Sequence, residues 1–136
     1  MGSIHRPTES ELEILQVLWS HGPSTVREVN DALNDGRDRE TGYTTTLKLM
    51  QIMADKGLVK RDTEQRSHIY EAAVGEADVR QGMLRRFVDT AFRGSATQLV
   101  MEALGQHRAD SEELEEIKRL IEQIERRQAG DDLPTQ

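Results

Sequence analysis

Apolar positions at helical spacing predict two short helices at the start of the chain, each opened by a capping box. In the first, the Thr8 hydroxyl and the Glu11 carboxylate can each satisfy a backbone N–H group, and Thr25 and Glu28 repeat this pattern in the second. Gly22 and the proline after it separate the two helices, because proline cannot continue the hydrogen-bond ladder. The apolar stripes are Leu12, Leu15, Leu18 and Trp19 in the first helix and Val26, Val29 and Leu33 in the second.

A third helix and a hairpin follow after a polar loop. The helix is predicted over Tyr43–Lys56, with Gly57 as its C-terminal stop. Residues 58–61 and 69–72 are predicted to form two short strands joined by a polar turn. Three helices and a hairpin in this order are typical of a winged helix-turn-helix, so residues 1–75 are assigned to a mainly α, winged-helix DNA-binding domain.

The third helix, which we call the recognition helix, is predicted to have one buried and one exposed face. The buried stripe consists of Thr46, Leu49, Met50 and Met53. On the opposite face, threonine hydroxyls can donate to phosphates or base edges, and a lysine and a glutamine follow about one turn later. A tyrosine at the helix start can reach the DNA backbone. The DNA-binding residues predicted on this helix are Tyr43, Thr44, Thr45, Lys48 and Gln51.

The hairpin adds basic residues to the predicted interface. Arg66 lies in the turn, where it can enter the adjacent minor groove or meet its phosphates. Lys60 and Arg61 are neighbours on one strand, so their side chains are expected on opposite faces. Only one of the two is therefore expected to face DNA. Lys60 and Arg66 are included among the predicted DNA-binding residues.

Beyond Gly75 the pattern returns to helices, predicted over residues 76–92, 96–106 and from 110 onward. Such thin helices have little to bury against within one chain, and a second copy supplies the missing surface. Residues 76–128 are therefore predicted to form a helical dimerisation domain, and residues 129–136 a flexible tail. The predicted dimerisation residues are Met83, Phe87, Leu99, Leu104, Leu114, Ile117, Ile121 and Ile124.

Composition narrows the possible functions. The 136 residues include 32% charged side chains and no cysteine, and no apolar run is long enough to span a membrane, so a soluble protein of the reducing cytoplasm is expected. The four histidines are scattered, and neither a nucleophile elbow nor a glycine-rich phosphate loop is present. No enzymatic activity, metal or cofactor is therefore expected. The net charge of −7 arises at the two ends, whereas residues 37–108 carry a slight basic excess.

Several segments together resemble the penicillinase-repressor family, often called BlaI/MecI. The resemblance is carried by residues 7–19 (PTESELEILQVLW), 42–47 (GYTTTL), 53–59 (MADKGLV) and 87–104, in the family's order and spacing. It implies a homodimeric transcriptional repressor, with winged helices on the half-sites of double-stranded operator DNA and interlocking C-terminal helices. It also implies a role in the regulation of antibiotic resistance.

The resemblance further implies a way of releasing DNA. In characterised relatives, signalling from a membrane-bound antibiotic sensor leads to proteolysis of the repressor within the dimerisation domain, so a regulatory protease is a possible partner. By position the cut falls near Glu102 and Ala103, which differ from the asparagine–phenylalanine pair of the best-known members. The copper-responsive branch of the family uses C-terminal cysteines, which this chain lacks. Two alternatives stay open: release by a small ligand, and a protein–protein adaptor that reuses the winged helix.

Overall fold

The computed structural model describes residues 6–38, 40–64, 66–106 and 110–131, and the chain divides into two compact units between Arg86 and Phe87. This division lies within a helix. The winged-helix domain is predicted to end earlier in the chain, at Gly75. The functional division into DNA-binding and dimerisation domains stays a prediction. No helix in the described ranges is long and apolar enough to cross a membrane.

The first unit contains three helices, a small sheet and the start of a fourth helix. Both predicted capping boxes are present, with the Thr8 and Thr25 hydroxyls accepting from the N–H groups of Glu11 and Glu28 at 3.2 and 3.1 Å. The predicted bounds of the recognition helix are confirmed, with Gly57 in the left-handed conformation after it. The elements are α1 (Glu9–His21), β1 (Ser24–Thr25), α2 (Val26–Asn34), α3 (Tyr43–Lys56), β2 (Val59–Asp62), β3 (Ile69–Ala72) and α4 (Glu76–Ala91).

The sheet differs from the predicted hairpin in two respects. It has three antiparallel strands in the order β1-β3-β2, and the two-residue strand β1 was not predicted because it is too short to show any periodicity. The first hairpin strand covers Val59–Asp62, one residue later at both ends than the predicted 58–61. The physical reason is that the Leu58 N–H donates to the Met53 carbonyl at 2.9 Å, so this residue closes the helix end before the strand starts.

One hydrophobic core joins α1, α2, α3 and the sheet. The Trp19 indole N–H also donates to the Val74 carbonyl at 3.0 Å, which links α1 to the segment that follows the sheet. This packing holds the recognition helix on a rigid base. The buried core residues are Ile14, Leu15, Leu18, Val26, Val29, Met50, Met53, Leu58, Val59 and Tyr70.

The second unit is formed by the end of α4 together with α5 (Ala96–Gln106) and α6 (Ser111–Asp131). α4 ends at Ala91, one residue before its predicted end. Phe92 packs edge-to-face on Phe87, with the ring centroids 5.5 Å apart. α6 continues through residues 129–131, which the sequence analysis had placed in the tail; the rest of that segment lies outside the described residues. Within the described part of this unit, no side chain is buried.

Candidate nucleic-acid interface

The recognition helix α3 is fixed by contacts on its inner face. Thr46 is fully buried, and its hydroxyl donates to Asn30 Oδ1 on α2 at 2.6 Å. Near the other end of α3, Lys56 Nζ donates to Glu11 Oε1 on α1 at 2.7 Å. Because both ends of the helix are held, its outer face has a defined orientation on the unit. Three members of the predicted stripe are buried, and the fourth, Leu49, is half-buried.

The loop before α3 is also held in place by hydrogen bonds. The Asn34 side chain donates to the Thr41 carbonyl at 2.9 Å and accepts from the Thr41 N–H at 2.6 Å. Arg37 donates to the Thr41 hydroxyl at 3.2 Å and forms an ion pair with Glu13 at 2.6 Å. These contacts fix the start of the recognition helix relative to α1 and α2. These hydrogen bonds could not be predicted from the sequence, since a polar loop shows no periodic signal.

The outer face of α3 is polar and exposed, as the helical spacing predicts. Thr44, Thr45, Lys48 and Gln51 are all exposed. Lys48 makes no ion pair with any described residue, so its ammonium group is available to a ligand. Contact of these four side chains with DNA stays a prediction.

Beside this face, a groove of about 380 Å³ lies where the first turns of α2 and α3 meet the hairpin. Arg27 lies over the ring of Tyr43, with its guanidinium carbon 5.3 Å from the ring centroid, a cation–π contact. Arg66 borders the same groove from the hairpin, so the structure brings this predicted residue close to the recognition helix. The lining residues are Thr25, Val26, Arg27, Tyr43, Leu47, Arg66, Ser67, His68 and Tyr70.

Arg27 and His68 also border this groove, although neither is among the DNA-binding residues predicted from the sequence. The position of Arg27 in the first turn of α2 is a signal that points to it, because in a helix-turn-helix the helix before the recognition helix crosses the DNA backbone. His68 has no such signal, since the place of a hairpin residue depends on strand register. The histidine borders the groove together with Arg66, from the same side.

The structure does not bring Lys60 into this groove. It lies across from Glu71 on β3, whereas Arg61 lies across from Tyr70, so the two neighbours occupy opposite faces of the sheet as predicted. Lys60 and Glu71 border a separate hollow of about 290 Å³. A DNA contact of Lys60 stays a prediction, and its acidic neighbour weakens the local positive potential.

The predicted dimerisation residues are exposed or half-exposed in the single chain. Phe87, Leu104, Leu114, Ile121 and Ile124 expose between 38% and 52% of their surface, and Met83, Leu99 and Ile117 are intermediate. Glu102 and Ala103, at the possible cleavage position, are exposed within α5, and Glu102 accepts a hydrogen bond from Gln98 at 2.8 Å. Among the described residues, no group of three or more His, Asp and Glu side chains is arranged to hold a metal ion.

Comparison with known proteins finds similarity along most of the chain. The sequence model of the penicillinase repressor family matches residues 7–123. The transcriptional regulator BlaI of Mycobacterium tuberculosis is 29% identical over 130 residues, which are 92% of this chain and 89% of the relative. The penicillinase repressor of Bacillus licheniformis is 23% identical over 128 residues, which are 93% of this chain and 98% of the relative.

Two solved structures are similar to part of the chain. One is the solution structure of the DNA-binding domain of the repressor BlaI, with a TM-score of 0.48, and the other is monomeric Bacillus licheniformis BlaI in complex with the blaP half-operator, with a TM-score of 0.47. Each is 24% identical to this chain and covers 57% of it and 93% of the solved chain.

Proposed function

The chain belongs to the penicillinase repressor family, whose members are transcriptional repressors and not enzymes, and from this premise we propose that two copies bind a pseudo-palindromic DNA operator through their recognition helices and wings. The wing is the hairpin of residues 59–72. The relative from Bacillus licheniformis is named a penicillinase repressor. We therefore also propose that this chain regulates antibiotic resistance.

The observation that carries the proposal is the division of α3 into a buried and a polar face. Thr46 and the two methionines of the stripe anchor the helix, whereas Thr44, Thr45, Lys48 and Gln51 are exposed on its outer face. In the major groove, hydroxyl and amide groups can donate to or accept from base edges, and the lysine can meet a guanine or a phosphate.

The groove between α2, α3 and the wing supports a path for the phosphate backbone. Arg27 and Arg66 border it from two sides, and Tyr43 adds a hydroxyl and holds the Arg27 guanidinium over its ring. Guanidinium groups bind phosphates with two parallel hydrogen bonds. A chain with a net charge of −7 can therefore bind DNA through a local basic surface.

Homodimer formation is supported by the apolar surface that one copy leaves exposed. Among the described side chains of the three helices after Gly75, Val79 alone is buried. α6 carries a stripe at spacings of three, four and three residues over Leu114–Ile124. A soluble protein rarely leaves such a stripe in water. A two-fold related copy covers it and also places two recognition helices on one face of a duplex.

For release from DNA, we propose cleavage of α5 between Glu102 and Ala103. Both are exposed, and within a single chain no described residue of α5 is buried, so packing inside one copy does little to oppose the local unwinding that a protease requires. A cut there separates α6 from the DNA-binding unit. An immunoblot of cells exposed to a β-lactam tests this step, and a shortened chain supports cleavage. If the chain is intact and its affinity for DNA is lowered, the result favours release by a small ligand.

Selection from a random-sequence duplex pool tests the proposed function as a whole. The full-length chain is expected to retain inverted repeats whose half-sites are separated by one helical turn, about 10 base pairs, or a multiple of it. A chain that enriches no sequence contradicts DNA recognition and favours the adaptor alternative. Enrichment of a single half-site without symmetry contradicts the homodimer but not the recognition helix.

A further inference from the structure

Two large apolar side chains are exposed in the described part of the winged-helix unit before α4, and both lie on the recognition helix. They are Tyr43, 42% exposed, and Ile52, 39% exposed. Tyr43 has a visible role, since its ring carries the Arg27 guanidinium. Ile52 has no such contact, and it is not among the residues that pack against the hydrophobic core.

The helical position of Ile52 places it on the polar outer face. It follows Lys48 by four residues and Thr45 by seven, so the three side chains lie in one row along α3. The anchoring residues Thr46, Met50 and Met53 lie on the other side of the helix and are fully buried. An isoleucine therefore interrupts a row of side chains that can form hydrogen bonds.

We propose that Ile52 determines sequence specificity by contacting the 5-methyl groups of thymines in the major groove; this inference rests on the proposed function. Of the four bases, thymine alone presents an apolar group at the major-groove edge, and apolar side chains are the partners that recognise it. Ile52 lies on the same row as the proposed hydrogen-bonding residues, so an α3 helix placed in the groove brings this side chain to the base edges as well.

The surroundings of Ile52 favour a base edge over a protein partner. Its exposed neighbours on the helix surface are Lys48, Gln51, Asp55 and Lys56, all polar or charged. A protein interface has a desolvated apolar centre built from several residues, and one isoleucine within a polar face does not supply it. A single methyl group within a polar base edge matches this arrangement.

The test combines a change in the protein with a change in the DNA. The probe is the duplex that the wild-type chain retains from the random pool, with each symmetry-related pair of thymines replaced in turn by deoxyuridine, which lacks only the methyl group. For at least one pair, wild-type affinity is expected to fall about fourfold for each half-site, the loss that corresponds to exposing one buried methyl group. Ile52→Ala is expected to bind the thymine and uracil duplexes equally.

Two further variants serve as controls. Ile52→Leu keeps an apolar side chain and is expected to retain part of the discrimination, whereas Gln51→Ala, on the same helix, is expected to bind more weakly but to retain all of it. Urea unfolding shows whether each variant is folded. Equal sensitivity of wild type and Ile52→Ala to every thymine pair overturns the inference while leaving DNA binding intact. If the wild type retains no duplex at all, the proposed function itself fails.

Discussion

The hydroxyl of Thr46 donates to Oδ1 of Asn30 at 2.6 Å, and this hydrogen bond joins the recognition helix to the preceding helix at a fully buried position. The adjacent Thr45 lies about 100° away around the same helix and is exposed. Two neighbouring threonines therefore have separable roles: Thr46 orients the helix, and Thr45 is proposed to contact DNA.

Thr46→Val tests the orienting role. Valine has the same shape but cannot donate, so the half-buried Asn30 side chain loses its hydrogen-bond partner. We expect the free energy of unfolding to fall by about 1–2 kcal/mol. Urea denaturation measures this change. Thr45→Val is the matched control: its stability is expected to stay within about 0.5 kcal/mol of wild type, while its operator affinity falls. Equal destabilisation by the two substitutions contradicts the assignment of faces.

Lys48→Ala tests the electrostatic contribution of the outer face. Removing a contact that displaces counterions lowers the slope of log Kd against log salt concentration by about 1 for each bound protomer. Fluorescence anisotropy over a range of salt concentrations measures the slope. Lys118→Ala, which removes an exposed lysine of α6, is expected to leave the slope unchanged. An unchanged slope in the Lys48 variant removes that residue from the interface.

Arg27→Ala tests the groove beside the recognition helix. Because a phosphate contact carries no base information, we expect affinity to fall for the selected duplex and for a scrambled duplex alike, by about 1.5–3 kcal/mol per protomer. The ratio of the two affinities measures specificity and is expected to stay constant. Tyr43→Phe keeps the ring under the guanidinium and is expected to lose less DNA affinity than Arg27→Ala. A changed ratio shows that Arg27 reads bases.

Glu11→Ala tests the contact between α1 and the end of α3. The Glu11 carboxylate is buried and accepts both the Thr8 N–H at 2.9 Å and the Lys56 ammonium at 2.7 Å. Its removal is expected to cost about 1–3 kcal/mol of unfolding free energy. Glu28→Ala removes the corresponding carboxylate of the exposed capping box at Thr25 and is expected to lower the unfolding free energy by less. Equal losses in denaturant unfolding show that the Lys56 contact adds nothing.

Ile121→Asp tests the proposed dimer seam. A charge in the apolar contact between two copies has no partner, so self-association is expected to be lost, and operator binding with it. Sedimentation velocity measures the change in mass. Gln123→Asp introduces the same side chain into α6 outside the apolar stripe and is expected to leave the dimer intact. A dimeric Ile121→Asp protein contradicts the seam.

Elements set by local interactions could be predicted from the sequence. The capping boxes at Thr8 and Thr25 and the left-handed stop at Gly57 each depend on residues within one turn, so the predicted helix starts and the end of α3 agree with the structure. β1 could not be predicted, because its two residues gain their conformation only by pairing with β3.

The candidate site could be predicted only in part for the same reason. Helical spacing placed Thr45 and Lys48 on the exposed face of α3, which the structure confirms. The approach of Arg27 to Tyr43 and the place of His68 beside the groove depend on how α2, α3 and the wing pack together. Ile52 was missed because an apolar residue within a helix is ordinarily assigned to the core.

The most direct test of the whole account is the mass of the complex between the full-length chain and the selected duplex, measured by native mass spectrometry. The account predicts two chains on each duplex that carries both half-sites, and a dimer of the same kind in the absence of DNA. A single chain on the duplex, with a monomer in free solution, contradicts it.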